Sequence, residues 1–130
     1  MTRWVHVAAG VIFDDEGNIL IAKRLQHLHQ GGLWEFPGGK LEPDETARDA
    51  LARELKEELQ IQVISAQPLI EIRHRYNDKS VLLDVWRVDK FVGEPAGNEG
   101  QEIKWIKPAE LPNYEFPAAN RDIVLAVMAL

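Results

Sequence analysis

The apolar residues of this chain follow a strand-like pattern over much of its length. Runs rich in valine, isoleucine and aromatic residues occupy six segments, at residues 4–13, 19–22, 33–36, 62–76, 80–92 and 103–106. A turn sequence at residues 14–18 separates the first and second runs, and another at 77–79 separates the fourth and fifth, so two β-hairpins are predicted. Proline and two glycines, at residues 37–39, end the short run at 33–36.

Two other segments have helical periodicity. Leu51, Leu55 and Leu59 recur every four residues and form one apolar stripe, which predicts an amphipathic helix packed against the rest of the domain. Thr46 followed by Asp49 resembles a capping box, so this helix should begin near Ala47. A second amphipathic helix is predicted at residues 120–130. The order of strands and helices predicts an α+β fold, in which a mixed β-sheet is sandwiched between α-helices.

Length, composition and charge narrow the class of protein. A chain of 130 residues with 45% hydrophobic residues fits a single domain over residues 1–130. The absence of cysteine excludes disulfides and cysteine-based zinc sites. Neither a membrane-length apolar run nor a signal-peptide layout is present, so we expect a cytoplasmic protein without membrane contact. The net charge of −6 disfavours binding to a nucleic acid polymer. We expect a monomer, with a dimer as the open alternative.

Three glutamates form an acidic edge on the first predicted helix. Glu54, Glu57 and Glu58 stand at i, i+3 and i+4, so their carboxylates lie on one side of the helix beside the leucine stripe. These like charges repel one another, and a hard divalent cation such as Mg²⁺ or Mn²⁺ would remove the repulsion. The alternative is a solvated helix face, because Arg53 can pair with Glu57 at i+4.

The acidic edge follows a glycine pair at a distance that resembles a known signature. Gly38 and Gly39 allow close approach of the backbone to a ligand. The following segment is similar to the signature of the Nudix hydrolases and matches eight of its nine defined positions: Gly39, Glu45, Arg53, Glu54, Leu55, Glu57, Glu58 and Ile61. The departure is Gln60, where the family has a glycine that can end the helix in a left-handed conformation. Glutamine adopts that conformation at a cost of roughly 1 kcal/mol.

Resemblance to the Nudix hydrolases implies the Nudix fold and metal-assisted attack of water on a diphosphate linkage. It implies that Mg²⁺ or Mn²⁺ is bound by the Gly38 carbonyl and by Glu54, Glu57 and Glu58. Glu54 is the first candidate for the general base, because it can contact both metal and water, and Glu99 is the second. Arg53 is expected to orient the glutamates through charge-assisted hydrogen bonds, with Glu45 as its partner.

Within this family the chain is most similar to the MutT type, which hydrolyses 8-oxo-dGTP to the monophosphate and pyrophosphate. The similarity extends over segments 33–40, 93–101 and 116–120. It implies a nucleoside triphosphate substrate and adds Glu99 to the metal ligands. The residues implied to surround the nucleotide are Arg24, His29, Phe36, Lys79 and Asn120. Lys79 stands where an arginine is expected.

Asn120 offers a physical basis for selecting an oxidised base. The base 8-oxoguanine carries an N–H at position 7, where guanine has a lone pair, so an amide that accepts from N7–H and donates to O6 would discriminate between the two. The alternative role for Asn120 is the N-cap of a helix that begins at Arg121. For Phe36, which could stack on the base, the alternative is a core position.

Three functional hypotheses remain from the sequence. The leading one is a Mg²⁺-dependent hydrolase of 8-oxo-dGTP that sanitises the nucleotide pool. The second keeps the fold and changes the substrate to another nucleotide, such as a modified pyrimidine triphosphate. The third is a non-catalytic nucleotide-sensing module, which would not need Glu54, Glu57 and Glu58 together. Retention of all three glutamates favours an enzyme.

Overall fold

The computed structural model describes residues 4–28 and 30–130. Its regular elements, in chain order, are β1 (Trp4–Ile12), β2 (Ile19–Lys23), β3 (Trp34–Glu35), β4 (Gly38–Lys40), α1 (Ala47–Leu59), β5 (Gln62–Arg75), β6 (Ser80–Val92), β7 (Ile103–Ile106), two 3₁₀ segments (Pro108–Asn113 and Ala118–Asn120) and α2 (Arg121–Met128). Among the helices of this described part, none combines the length and the apolar character that crossing a lipid bilayer requires.

The strands form two sheets. A four-stranded sheet has the order β4-β1-β6-β5, and it is mixed because β1 and β6 run parallel while its other pairs are antiparallel. A three-stranded antiparallel sheet has the order β3-β2-β7. The predicted α+β class with a mixed sheet is therefore confirmed, and the short strands β2, β3 and β7 add a second sheet to it.

The first predicted hairpin is wrong, whereas the second is confirmed. Residues 14–18 do form the expected turn, in which the Asp14 carboxylate accepts hydrogen bonds from the backbone amides of Glu16 and Asn18. Beyond one isolated bridge, however, β1 and β2 enter different sheets. Strand β2 is almost wholly buried, and so are the last five residues of β1, so each lies inside a sheet with a partner on either side. Strands β5 and β6 pair along their length as predicted.

The two helices pack on separate apolar cores. Helix α1 begins at Ala47, and the Thr46 hydroxyl accepts a hydrogen bond of 3.1 Å from the Asp49 amide, so the predicted cap is confirmed. Its leucine stripe is buried against the four-stranded sheet, together with Ala8 and Ile12 of β1. Helix α2 buries Ile123 and Val127 in the second core, which includes the opposite face of β1. The mixed sheet thus lies between the helices.

Strand β4 is an element that the sequence did not predict. Gly38 pairs with Ala9 and Gly39 with Ala8, which fixes the glycine pair on the edge of β1. A Cβ at Gly38 would overlap the Ala8 carbonyl oxygen and lie 2.7 Å from Ala9 Cα, so only glycine allows this close approach. The glycine pair is therefore held rigidly beside helix α1.

Candidate active site

The acidic edge of α1 faces the glycine strand. Glu54 is largely buried, with 17% of its side chain exposed, whereas Glu57 is 59% exposed. A Cβ at Gly39 would lie 2.6 Å from Oε1 of Glu54, so the missing side chain at Gly39 is what leaves room for this carboxylate. The predicted ligands Gly38, Glu54 and Glu58 come together here, while Glu57 lies nearer to solvent.

Arg53 links the loop that precedes α1 to this acidic edge. Its Nε and Nη2 atoms donate to the two carboxylate oxygens of Glu45 at 2.8 Å and 3.0 Å, and Nη1 donates to Oε1 of Glu54 at 2.9 Å. Nη2 also donates to the Lys40 carbonyl at 3.0 Å. The hydrogen bonds from Arg53, together with the backbone amide of Glu42, lower the pKa of Glu45 to about 2. Arg53 and Glu45 thus form a fixed charge pair that holds one oxygen of Glu54.

Glu58 lies in the most unfavourable surroundings for a negative charge. Burial and, next to it, the charges of Glu54, Glu35 and Glu99 together raise its pKa to about 8, against an opposing hydrogen bond from the Gly38 backbone amide. A buried carboxylate near other carboxylates favours its protonated form. A cation bound here would reverse this preference.

Glu54 has a milder version of the same environment. Burial raises its pKa, hydrogen bonding and charge from Arg53 oppose that rise, and the charges of Glu57 and Glu99 add to it. Because a general base near neutral pH needs a pKa above the ordinary carboxylate range, the direction of this shift suits such a role.

The donor chemistry of this region fits a hard divalent cation. Its side-chain donors are all carboxylates, which Mg²⁺ and Mn²⁺ prefer. Within residues 4–28 and 30–130, no three histidine, aspartate or glutamate side chains already stand in a complete metal-binding group. Arg53 holds one oxygen of Glu54 and the Gly38 amide engages Glu58, so these carboxylates must rearrange to bind a common cation.

A cleft of about 310 Å³ lies beside the glycine strand. Four residues predicted to surround a nucleotide line it, namely Arg24, Phe36, Lys79 and Asn120. The fifth, His29, lies outside the described residues. Apolar side chains of β6 and α2, including Leu83 and Ile123, contribute to the wall. The cleft therefore offers an apolar surface with a few polar groups, the usual composition of a site for a small molecule.

Three of the cleft residues have contacts that bear on their predicted roles. Arg24 Nη1 lies 2.8 Å from Oε1 of Glu35. Phe36 is buried and stacks on Phe116 with ring centroids 5.2 Å apart, so it belongs to the core as well as to the cleft wall. Asn120 stands at the N-cap position of α2, yet its side chain makes no capping hydrogen bond within the described residues.

Glu35 is a site residue that the sequence analysis missed. It lines the cleft and also a smaller cavity of about 100 Å³, which Gly38, Glu58 and Glu99 line as well. Burial raises the pKa of Glu35, and its hydrogen bond with Arg24 opposes that rise. The available signal was a single charged residue inside the apolar run at residues 33–36. The two cavities adjoin, because they share three lining residues, Arg24, Glu35 and Gly38.

Comparison with known proteins matches this geometry to one family. The model of the NUDIX domain matches residues 8–126. A CTP pyrophosphohydrolase of Escherichia coli K12 is 37% identical, over 98% of this chain and 94% of that protein. An 8-oxo-dGTP diphosphatase of Haemophilus influenzae is 36% identical, over 92% of this chain and 88% of that protein. A solved structure from work on the MutT proteins of Aliivibrio salmonicida and Vibrio cholerae is 41% identical, with a TM-score of 0.86 and 98% of each chain covered.

Proposed function

The chain belongs to the Nudix family, and we propose that it is a metal-dependent nucleoside triphosphate pyrophosphohydrolase that acts on 8-oxo-dGTP. The observation that carries this proposal is the junction between the cleft and the smaller cavity, which Glu58 and Glu99 line and which we call the acidic cavity. Arg24, Glu35 and Gly38 line both spaces, so a nucleoside bound in the cleft would extend its phosphates toward Glu58 and Glu99. Hydrolysis of oxidised precursors would sanitise the nucleotide pool.

Glu58 and Glu99 in the acidic cavity and Glu54 beside it would hold Mg²⁺ or Mn²⁺, with Glu57 and the Gly38 carbonyl as further ligands. Such an ion supplies charge neutralisation at the phosphate oxygens and makes a bound water more acidic. Glu54 would accept the proton of the attacking water, a role that the rise of its pKa through burial supports. Arg53 fixes the orientation of Glu54 through one of its two oxygens.

The reaction is a substitution at phosphorus. A bond forms between the water oxygen and one phosphorus of the α–β linkage, the bond from that phosphorus to the bridging oxygen breaks, the bridging oxygen leaves with the other phosphorus, and the proton of the water passes to Glu54. The products are the nucleoside monophosphate and pyrophosphate. Arg24 and Lys79 line the cleft and supply positive charge for the phosphates of an anionic substrate, in a protein whose net charge is −6.

The choice of base rests on Asn120. The amide of Asn120 lines the cleft and makes no capping hydrogen bond within the described residues, so it can accept from N7–H and donate to O6 of 8-oxoguanine. A second candidate substrate is a pyrimidine triphosphate, because the similar Escherichia coli protein named CTP pyrophosphohydrolase covers nearly the whole chain.

The proposal is tested by pyrophosphate release from 8-oxo-dGTP, dGTP and CTP in the presence of Mg²⁺. We expect 8-oxo-dGTP to be the best substrate, and Glu54→Gln to lower kcat by about 100-fold or more, as loss of a general base does. Glu16→Gln, in an exposed turn that lines neither the cleft nor the acidic cavity, is the matched control and should retain full activity. A preference for CTP would make CTP the substrate in place of 8-oxo-dGTP. Full activity of Glu54→Gln would overturn the assignment of Glu54 as the base.

A further inference from the structure

The segment at residues 93–101, which we call the Glu99 loop, caps the C-terminal end of α1. The last carbonyls of a helix have no partners within the helix, and here the loop supplies them. The backbone amide of Asn98 donates to the Glu58 carbonyl at 3.0 Å, and that of Ala96 donates to the Leu59 carbonyl at 3.0 Å. The Asn98 side-chain amide donates to the Glu57 carbonyl at 2.8 Å. The loop is thus docked on the turn that carries two of the acidic residues.

Gln60 adds a contact that the usual glycine at its position cannot make. It ends α1 in the left-handed conformation, with φ 62° and ψ 32°, which costs roughly 1 kcal/mol for a residue with a side chain. Its side-chain Nε2 donates to Oδ1 of Asn98 at 2.6 Å. Both polar atoms of the Asn98 amide are therefore used, one toward α1 and one toward its C-cap.

Glu99 follows the anchored Asn98 directly and is held from its other side as well. Its backbone amide donates to Oε1 of Gln101 at 2.9 Å, and Nε2 of Gln101 donates to the Glu58 carbonyl at 3.2 Å. Glu99 lines the small acidic cavity with Glu58, although it belongs to an exposed loop. The two anchors on α1 therefore fix the backbone of Glu99 at the edge of this cavity.

We propose that Asn98 and Gln60 are positioning residues, which hold the Glu99 carboxylate over the acidic end of α1 and thereby strengthen binding of the divalent cation. This inference rests on the proposed function, because it assumes that the acidic cavity binds a cation. The side chains of Asn98 and Gln60 do not line the cleft or the cavity, so they act through Glu99. Residues that fix metal ligands typically change metal affinity by about 10-fold to 100-fold.

The test measures Mn²⁺ binding to the metal-free protein by electron paramagnetic resonance, without substrate. We expect Asn98→Ala to raise the Mn²⁺ Kd by about 10-fold, in the range known for supporting residues. Gln60→Gly removes only the contact with Asn98 while glycine suits the left-handed conformation, so its effect should be smaller, about 3-fold. The matched control is Asn113→Ala, an exposed asparagine in a 3₁₀ segment, which should bind as wild type does.

Two further readouts separate positioning from a general loss of structure. Amide hydrogen exchange at residues 98–101 should accelerate in Asn98→Ala, whereas exchange in the sheet should not. In turnover assays the Mg²⁺ concentration for half-maximal activity should rise, while KM for the nucleotide at saturating Mg²⁺ stays within about twofold, because the cleft is untouched.

The outcomes distinguish this inference from the proposed function. Wild-type protein that binds no Mn²⁺ and cleaves no triphosphate would contradict both. Wild-type protein that binds Mn²⁺, together with folded Asn98→Ala and Gln60→Gly variants whose Kd values equal that of wild type, would overturn the positioning role alone. If Asn98→Ala fails to fold, Gln60→Gly decides the matter, since its backbone conformation is relieved and not strained by the substitution.

Discussion

Nη1 of Arg53 lies 2.9 Å from Oε1 of Glu54, although adjacent residues on an α-helix point about 100° apart. The contact forms because Glu45 anchors the other edge of the guanidinium through two hydrogen bonds. The planar group then presents its remaining donor to Glu54. A flexible ammonium on a lysine cannot make this forked arrangement.

Arg53→Lys should therefore impair catalysis while preserving charge. We expect kcat to fall by about 100-fold because Glu54 loses its fixed orientation, with KM changed only a few-fold. Steady-state pyrophosphate release measures both constants. Arg48→Lys, five residues earlier on the same helix, is the control and should leave kcat unchanged. Equal activity of wild type and Arg53→Lys would show that Glu54 needs no such support.

The two glycines of β4 should respond differently to alanine. In Gly39→Ala the new Cβ meets the Glu54 carboxylate, the movable end of a side chain, so the protein should fold with nearly unchanged stability and lose most of its activity. In Gly38→Ala the Cβ meets the backbone of β1 at Ala8 and Ala9. Overpacking of this kind costs about 1–3 kcal/mol.

Thermal unfolding and turnover, measured on both alanine variants, separate these effects. Gly38→Ala should lower Tm by several degrees, whereas Gly39→Ala should keep Tm close to that of wild type and lower kcat by about 100-fold, through displacement of the proposed base. An active Gly39→Ala enzyme would mean that Glu54 can shift without losing its function.

Features set by neighbouring residues were predictable from the sequence, and features set by distant pairing were not. The cap at Thr46 and the stripe from Leu51 to Leu59 depend only on helical spacing, and both are confirmed. Strand β4 consists of Gly-Gly-Lys, which has little intrinsic strand preference, and it exists because the edge of β1 is available to it. The first hairpin failed for the same reason, since the partners of β1 lie far along the chain.

The candidate site shows the same division. The signature spacing identified Arg53, Glu54 and Glu58, which the structure brings to one end of α1 beside β4. Glu35 was missed because its importance arises only where β3, α1 and the Glu99 loop meet. The sequence marked Gln60 as a departure from the signature without fixing how the helix ends; the structure has a left-handed cap there, and its contact with Asn98 joins residues 38 positions apart. The predicted monomeric state and cytoplasmic location stay predictions.

Glu58 should make the stability of the metal-free protein depend on pH. Its folded-state pKa is raised to about 8, above the unfolded value, so the folded state binds more protons than the unfolded state between these two values. The free energy of unfolding of wild type should therefore fall as pH rises through this window. The Glu58→Gln variant has no such charge to bury, so its free energy of unfolding should increase relative to that of wild type as pH rises.

Thermal unfolding in EDTA, at about pH 5 and about pH 9, measures this effect. At about pH 5 the two Tm values should be close, and at about pH 9 Glu58→Gln should be more stable by several degrees. Mg²⁺ at about pH 9 should raise the Tm of wild type more than that of the variant, because a ligand stabilises the state that binds it. Parallel pH profiles of the two proteins would show that Glu58 ionises freely in the fold.

Asn120 should control discrimination between oxidised and unoxidised guanine. Asn120→Ala removes both the acceptor for N7–H and the donor for O6, so the ratio of kcat/KM for 8-oxo-dGTP over dGTP should fall by about 10-fold to 100-fold, the size of one or two lost hydrogen bonds in a closed site. Asn120→Asp keeps an acceptor for N7–H and loses the donor, and it should give an intermediate ratio. CTP has no imidazole edge, so its hydrolysis should change little. If the ratio is unchanged in Asn120→Ala, other groups of the cleft recognise the base. Asn120 then has no part in base selection and serves only at the start of α2.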